Sequence, residues 1–177
     1  MPFYENDVAV FIDQSKLASR VAELGAQITR DYSGKALTIV GVLKGSAVFL
    51  ADLARAIDLP LTIDFLGVSS YQGGTETTGE VRITSDLTKP MAEKHILVVE
   101  DIIDTGLTMR FLIENLASRH PASVKVCTLL EKPDRARVKV PIDYKGFVIE
   151  DKFVVGYGLD YDEKYRNLPF IGVMKRT

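Results

Sequence analysis

The apolar pattern predicts an α/β fold: an open, mostly parallel twisted sheet with flanking helices and a small C-terminal hood subdomain. Three observations carry this reading. Continuous aliphatic runs, as expected of strands buried on both faces, alternate with stretches of helical spacing. The strand–helix–strand order occurs twice, and right-handed crossovers then make those strands parallel. The chain has 177 residues, 46% hydrophobic and 26% charged, enough for one domain with a core of its own.

Taken in order, Leu17, Val21, Leu24 and Ile28 recur at helical steps, with Asp13 or Ser15 as the cap. A buried strand over 36–42 follows, bounded by Gly34 and Gly45. Ser46, Phe49, Leu50, Leu53 and Ile57 mark a second helix, and Pro60 precedes a strand over 61–68. Residues 69–79 are rich in Gly, Ser and Thr and nearly free of aliphatics, which suits a surface hairpin tip or a lid. The unit then repeats, with a strand over 95–100, a helix carrying Met109, Leu112, Ile113 and Leu116 on one face, and a strand over 123–130. Strand-like pieces at 147–149, 153–155 and 170–173 are assigned to the hood. The expected division is a single domain over 1–177, its core at roughly 1–135 and its hood at roughly 136–177 with N-terminal contributions.

Composition narrows the function. A net charge of −2 and a pI near 5.7 argue against a chain built to hold nucleic-acid backbones. No apolar run has the length of a membrane span, and residues 1–7 lack the basic-then-apolar order of a secretory leader. Cys127, the one cysteine, lies in an apolar run and reads as a buried, reduced strand residue with no metal-ligand spacing around it. The expectation is a cytoplasmic protein acting on small molecules, with neither nucleic acid nor membrane as partner.

Chemistry concentrates in Val98-Val99-Glu100-Asp101-Ile102-Ile103-Asp104-Thr105-Gly106-Leu107-Thr108. The segment starts at the C-terminal end of a buried strand and enters a helix N-terminus, where open α/β sheets bind ligands. Free N–H groups and the helix dipole there favour a phosphate, Thr105 and Thr108 add hydroxyls, and Gly106 permits close backbone approach. Glu100, Asp101 and Asp104 sit within five positions of one another. Acids beside an anion site make sense if hydroxyl groups and Mg²⁺ lie between, as a sugar phosphate would provide. In isolation, Asp104 would simply cap the helix. The run lacks the Gly-Lys-Ser/Thr ending of a Walker A loop.

This run resembles the phosphoribosyl-diphosphate (PRPP) motif of type I phosphoribosyltransferases, and the likeness extends along most of the chain toward their hypoxanthine-guanine branch. It implies that residues 103–108 (Ile103, Asp104, Thr105, Gly106, Leu107 and Thr108) with Glu100 and Asp101 bind PRPP. Leu43-Lys44-Gly45-Ser46 is similar to the loop that holds diphosphate through its backbone at a strained Leu43–Lys44 peptide, and Arg166 to a diphosphate-contacting arginine. Ser70-Tyr71 resembles the start of the flexible catalytic loop. Lys132 is similar to the lysine that donates to the purine 6-oxo group, Phe153 to the stacking aromatic and Val154 to the residue whose backbone reads the purine edge. Asp160 resembles an acid at the purine side and near a second metal, giving Glu100, Asp101 and Asp160 as metal residues. Leu107 departs from the longer eukaryotic members, where lysine often follows Asp-Thr-Gly; the short length and this leucine look bacterial.

The resemblance implies transfer of phosphoribosyl from PRPP to hypoxanthine or guanine with Mg²⁺, and a homodimer or homotetramer. Asp104 is then placed to take the proton from purine N7 as N9 attacks. Two alternatives stay open at this point: a PRPP-sensing, RNA-binding regulator of the same fold, and a xanthine-preferring transferase.

Overall fold

The computed structural model describes residues 3–5, 7–70 and 81–175. Its main sheet has six strands in the order β4-β3-β2-β5-β6-β7. These are β2 (Leu37–Leu43), β3 (Leu61–Ser70), β4 (Val81–Ser85), β5 (His95–Ile103), β6 (Ser123–Glu131) and β7 (Tyr144–Val148). All pair in parallel except β4, which runs antiparallel to β3. A second, antiparallel sheet has the order β1-β9-β8, from β1 (Val8–Ile12), β8 (Val154–Val155) and β9 (Ile171–Met174).

Among the described residues three α-helices cover the main sheet. In α1 (Gln14–Asp31), Leu17, Val21, Leu24 and Ile28 are buried, and the Asp13 carboxylate caps the start by accepting from the Lys16 amide at 2.9 Å. Together with α2 (Ala47–Ala56) it packs over Ile39, Leu97, Val99 and Leu129. On the opposite face α3 (Leu107–Ala117) sets Met109, Leu112 and Leu116 against Val40, Val98 and Val126. Neighbouring residues of one strand thus feed opposite cores, which is why these runs are aliphatic without alternation. Cys127 is fully buried in β6. No described helix is long and apolar enough to cross a membrane.

Several elements differ from the expectations. β7 takes Phe147 and Val148 into the main sheet, where Cys127 pairs with Tyr144 and Glu131 with Val148. The hood assignment of 147–149 is corrected accordingly: the nine-residue β6 offers a long unpaired edge, and a short strand following it in the chain satisfies that edge first. β4 was not anticipated, since its Val-Arg-Ile-Thr-Ser alternation is brief and follows a glycine-rich stretch. It pairs with the end of β3, Ser70 opposite Val81, so the flanks of the glycine-rich segment form a hairpin. Tyr71 and the rest of 71–80 lie outside the described residues. β5 continues to Ile103, so Glu100 and Asp101 belong to the strand itself.

Candidate active site

β2 and β5 lie side by side, and each ends in a turn that leads into a helix. After β2 the turn is Lys44-Gly45-Ser46, entered through a cis peptide between Leu43 and Lys44. After β5 it is Asp104-Thr105-Gly106. A cavity of about 290 Å³ opens between them, lined by Lys44, Gly45, Glu100, Asp101, residues 103–106 and Thr108, with Asp160 and Arg166 contributed from the segment between β8 and β9. Of the residues expected to contact PRPP, Leu107 alone does not line it.

The phosphate turn is held by its neighbours. Gly106 is left-handed, with φ of 81°, and a Cβ there would collide with the Val138 carbonyl oxygen. The Thr105 carbonyl accepts from the amides of Arg137 at 3.0 Å and Val138 at 3.1 Å. Gly106, rather than Asp104, occupies the cap position of α3. The α3 N-terminus therefore meets the cavity with its first-turn amides, the backbone arrangement suited to an anion. The Asp104 carboxylate is free of capping and accepts instead from Arg135 Nε at 3.1 Å.

The two acids adjoin at the end of β5, Glu100 buried and Asp101 half-buried. Glu100 is 8% exposed and accepts from the Asp101 amide at 3.2 Å; Asp101 accepts from the Ile102 amide at 2.8 Å. Burial, and then the adjoining Asp101 carboxylate, push Glu100 well above the usual carboxyl range. Burial also raises Asp101, against the pull of its hydrogen bonds and of Arg166. Gly45 makes room for this pair, because a Cβ there would strike the Asp101 carboxylate. Two hard oxygen donors with little cationic compensation, open to a cavity, fit Mg²⁺, which commonly takes one or two carboxylates and completes its shell from water and substrate phosphate.

The expected third metal residue does not join them. Among the described residues no cluster of three or more metal-liganding side chains forms. Asp160 binds Arg166 Nη2 through Oδ1 at 2.9 Å and accepts the Glu163 amide on Oδ2 at 2.9 Å. Arg166 thus matches its charge, while Asp160 lines the same cavity as Glu100 and Asp101. Arg166 also donates to the Gly158 carbonyl at 2.8 Å, and Lys44 Nζ lies 2.9 Å from Glu163 Oε2.

The residues expected at the purine divide. Lys132 is 8% exposed, and its amide donates to the Ile103 carbonyl at 3.0 Å, tying it to the rim of the cavity. Its Nζ lies 3.4 Å from Asp151. Phe153 is 56% exposed. It meets Tyr161 edge-on at 5.7 Å and borders a neighbouring cleft with Asp151, outside the 290 Å³ cavity. Val154 is buried in β8 opposite Val173. Two residues went unnoticed in sequence: Arg135, which bridges Asp104 and Asp151, and Glu163; Asp151 opens the segment 151–157 that resembles a base-binding segment. Arg135 follows Lys132 by three positions, but no spacing rule points it at an acid 31 residues earlier.

Comparison with known proteins bears on this site. A family model described as a phosphoribosyl transferase domain matches residues 11–162. The chain is 51% identical over 166 residues to a hypoxanthine-guanine phosphoribosyltransferase of Staphylococcus aureus, covering 94% of this chain and 93% of that one. It is 48% identical over 172 residues to one of Streptococcus pneumoniae, covering 97% and 96%. A crystal structure of a hypoxanthine phosphoribosyltransferase from Staphylococcus aureus superposes with a TM-score of 0.94 at 48% identity, covering 99% of this chain and 95% of that one.

Proposed function

The chain belongs to the phosphoribosyl transferase family, and on that premise we propose that it is a purine-salvage enzyme. It transfers the phosphoribosyl group of PRPP to hypoxanthine or guanine, releasing diphosphate and IMP or GMP. One observation carries the reading: a single cavity joins an amide-lined turn, the adjoining Glu100 and Asp101 carboxyls and two cations, with the buried Lys132 bonded to its rim.

Each half of PRPP then has a complement. Thr105, Gly106 and Thr108 hold the 5′-phosphate at the α3 N-terminus, Leu107 offering only its backbone amide. Glu100 and Asp101 accept from the ribose hydroxyls and fix the anomeric carbon for attack. Bond breaking there builds positive charge on the sugar and negative charge on the leaving diphosphate. Lys44 with the Gly45 backbone and Arg166 are placed to meet that negative charge. Glu100 and Asp101 are also the residues that would hold Mg²⁺, which when bound supplies positive charge beside the diphosphate oxygens.

At the base, Lys132 donates to the 6-oxo group, Phe153 stacks on the ring, the Val154 backbone reads its edge, and Asp160 stands on the purine side through its turn. Asp104 takes the N7 proton, without whose loss a neutral purine attacks poorly. The enzyme is cytoplasmic and assembles as a homodimer or homotetramer in this reading. The test is a spectrophotometric screen of free purines with PRPP and Mg²⁺. Consumption of hypoxanthine or guanine with stoichiometric diphosphate release is expected; no turnover of any purine would overturn the proposal.

A further inference from the structure

Lys44 and Arg166, the two cations given above to the leaving diphosphate, are already joined by an acid. Glu163 sets Oε2 2.9 Å from the Lys44 ammonium and Oε1 3.3 Å from Arg166 Nη2. Lys44 lies after β2 and Glu163 lies 119 residues later, so the contact brings together distant parts of the chain. Both Lys44 and Glu163 are well exposed. An exposed ion pair adds little to stability, which leaves the placement without a structural reason.

The backbone beneath Glu163 supplies the second observation. Tyr161 and Lys164 exchange both amide–carbonyl bonds, at 3.1 and 3.0 Å, closing a two-residue hairpin. Its central residues, Asp162 and Glu163, are left-handed, with φ of 52° and 62°. That turn favours Asn-Gly, and a long side chain in its second central position is disfavoured. Asp160 secures it, accepting the Glu163 amide at 2.9 Å while binding Arg166. The fold thus keeps a glutamate where glycine sits more easily, and a backbone outlier of this kind beside an active site points to function. The Lys44 ammonium holds the Glu163 carboxyl below its usual range, so it is charged at neutral pH.

We propose that Glu163 is a positioning residue that stands in for diphosphate, its carboxylate bridging Lys44 and Arg166 while the site is empty and yielding them when the diphosphate of PRPP arrives. A carboxylate with one negative charge gives way to a diphosphate carrying several. Its displacement costs affinity, so Glu163 keeps the bound diphosphate weak enough to leave after transfer. The inference rests on the assignment of Lys44 and Arg166 to diphosphate.

The experiment titrates magnesium diphosphate into wild-type protein, Glu163→Gln, Glu163→Gly and the neighbouring Asp162→Asn by calorimetry, and measures the KM for PRPP of each. Both Glu163 variants are expected to bind diphosphate about 3–10-fold tighter, the size of one or two exposed ion pairs, with a lower PRPP KM. Asp162→Asn, which removes an equal charge one residue away, is expected to stay within about twofold of wild type. Glu163→Gly is expected to keep or raise the Tm, since glycine accepts that backbone, which separates loss of the carboxylate from damage to the turn. Unchanged diphosphate affinity in both Glu163 variants overturns the proposal, as does equal tightening in Asp162→Asn, which would reduce it to a general charge effect. Tighter diphosphate binding in a protein that transfers phosphoribosyl to no purine would sink the transferase reading and leave this one standing.

Discussion

Asp104 and Lys132 carry the residue-scale argument, because each is bland by type and informative by position. An aspartate at a strand–helix junction is ordinarily a cap; here Gly106 caps α3 and Asp104 is held by Arg135 at the cavity wall. Asp104→Asn keeps the shape but removes the proton acceptor. Its kcat is expected to fall by about 10²–10⁴ with the PRPP KM little changed, as steady-state kinetics would report. Lys132→Ala is expected to raise the purine KM and leave that of PRPP alone; the opposite split would move Lys132 to the sugar-phosphate side. The Glu100–Asp101–Asp104 run and Gly106 were legible because their chemistry lies in adjacent positions. Arg135 and Glu163 were not, since their partners are distant in the chain and a solitary charged residue looks like solvated surface.

Among the elements, legibility followed burial. β2, β5 and β6 pack against helices on both faces, so their runs are unbroken and their order reads directly as a parallel sheet. β4 and β7 are the edge strands of the sheet, short and half-polar, and sequence alone could not say which edge or sheet they would join. The phosphate turn between β5 and α3 depends on a third segment, residues 137–138, that no motif marks. Gly106→Ala tests that dependence. A methyl group there meets the Val138 carbonyl and must also adopt a left-handed backbone, so a loss of about 1–3 kcal/mol in denaturant unfolding is expected. PRPP binding should weaken more than purine binding, because the turn moves and Lys132 does not.

For the molecule as a whole, the acid pair couples stability to pH and to divalent metal. A carboxyl whose folded-state pKa is raised, as burial raises Glu100, keeps its proton in the folded chain after the unfolded chain has lost it. Folded protein then binds more protons, and stability from this site falls as pH climbs from the ordinary carboxyl range toward the raised value. Mg²⁺ competes with those protons. Its stabilising increment in Tm is therefore expected to be larger near pH 8 than near pH 5, measured by calorimetric scans with and without the metal. Equal increments would detach Glu100 and Asp101 from metal binding. Carboxylates elsewhere, such as Asp64 with its hydrogen bonds to Thr88, are lowered and pull the other way, so the informative quantity is the metal-dependent difference.

The burial of Cys127 has a practical consequence. Cys127 lies on β6, the strand between β5 and β7, with its thiol buried in the core shared with α1 and α2; burial pushes its pKa far up, so neither air nor an alkylating reagent reaches a thiolate in the folded chain. As the sole sulfhydryl in the sequence, it makes a built-in clock for opening of the central sheet. Mass-spectrometric labelling should proceed at the pace of that opening and slow when PRPP and Mg²⁺ are added, reporting ligand-linked stability without any engineered probe.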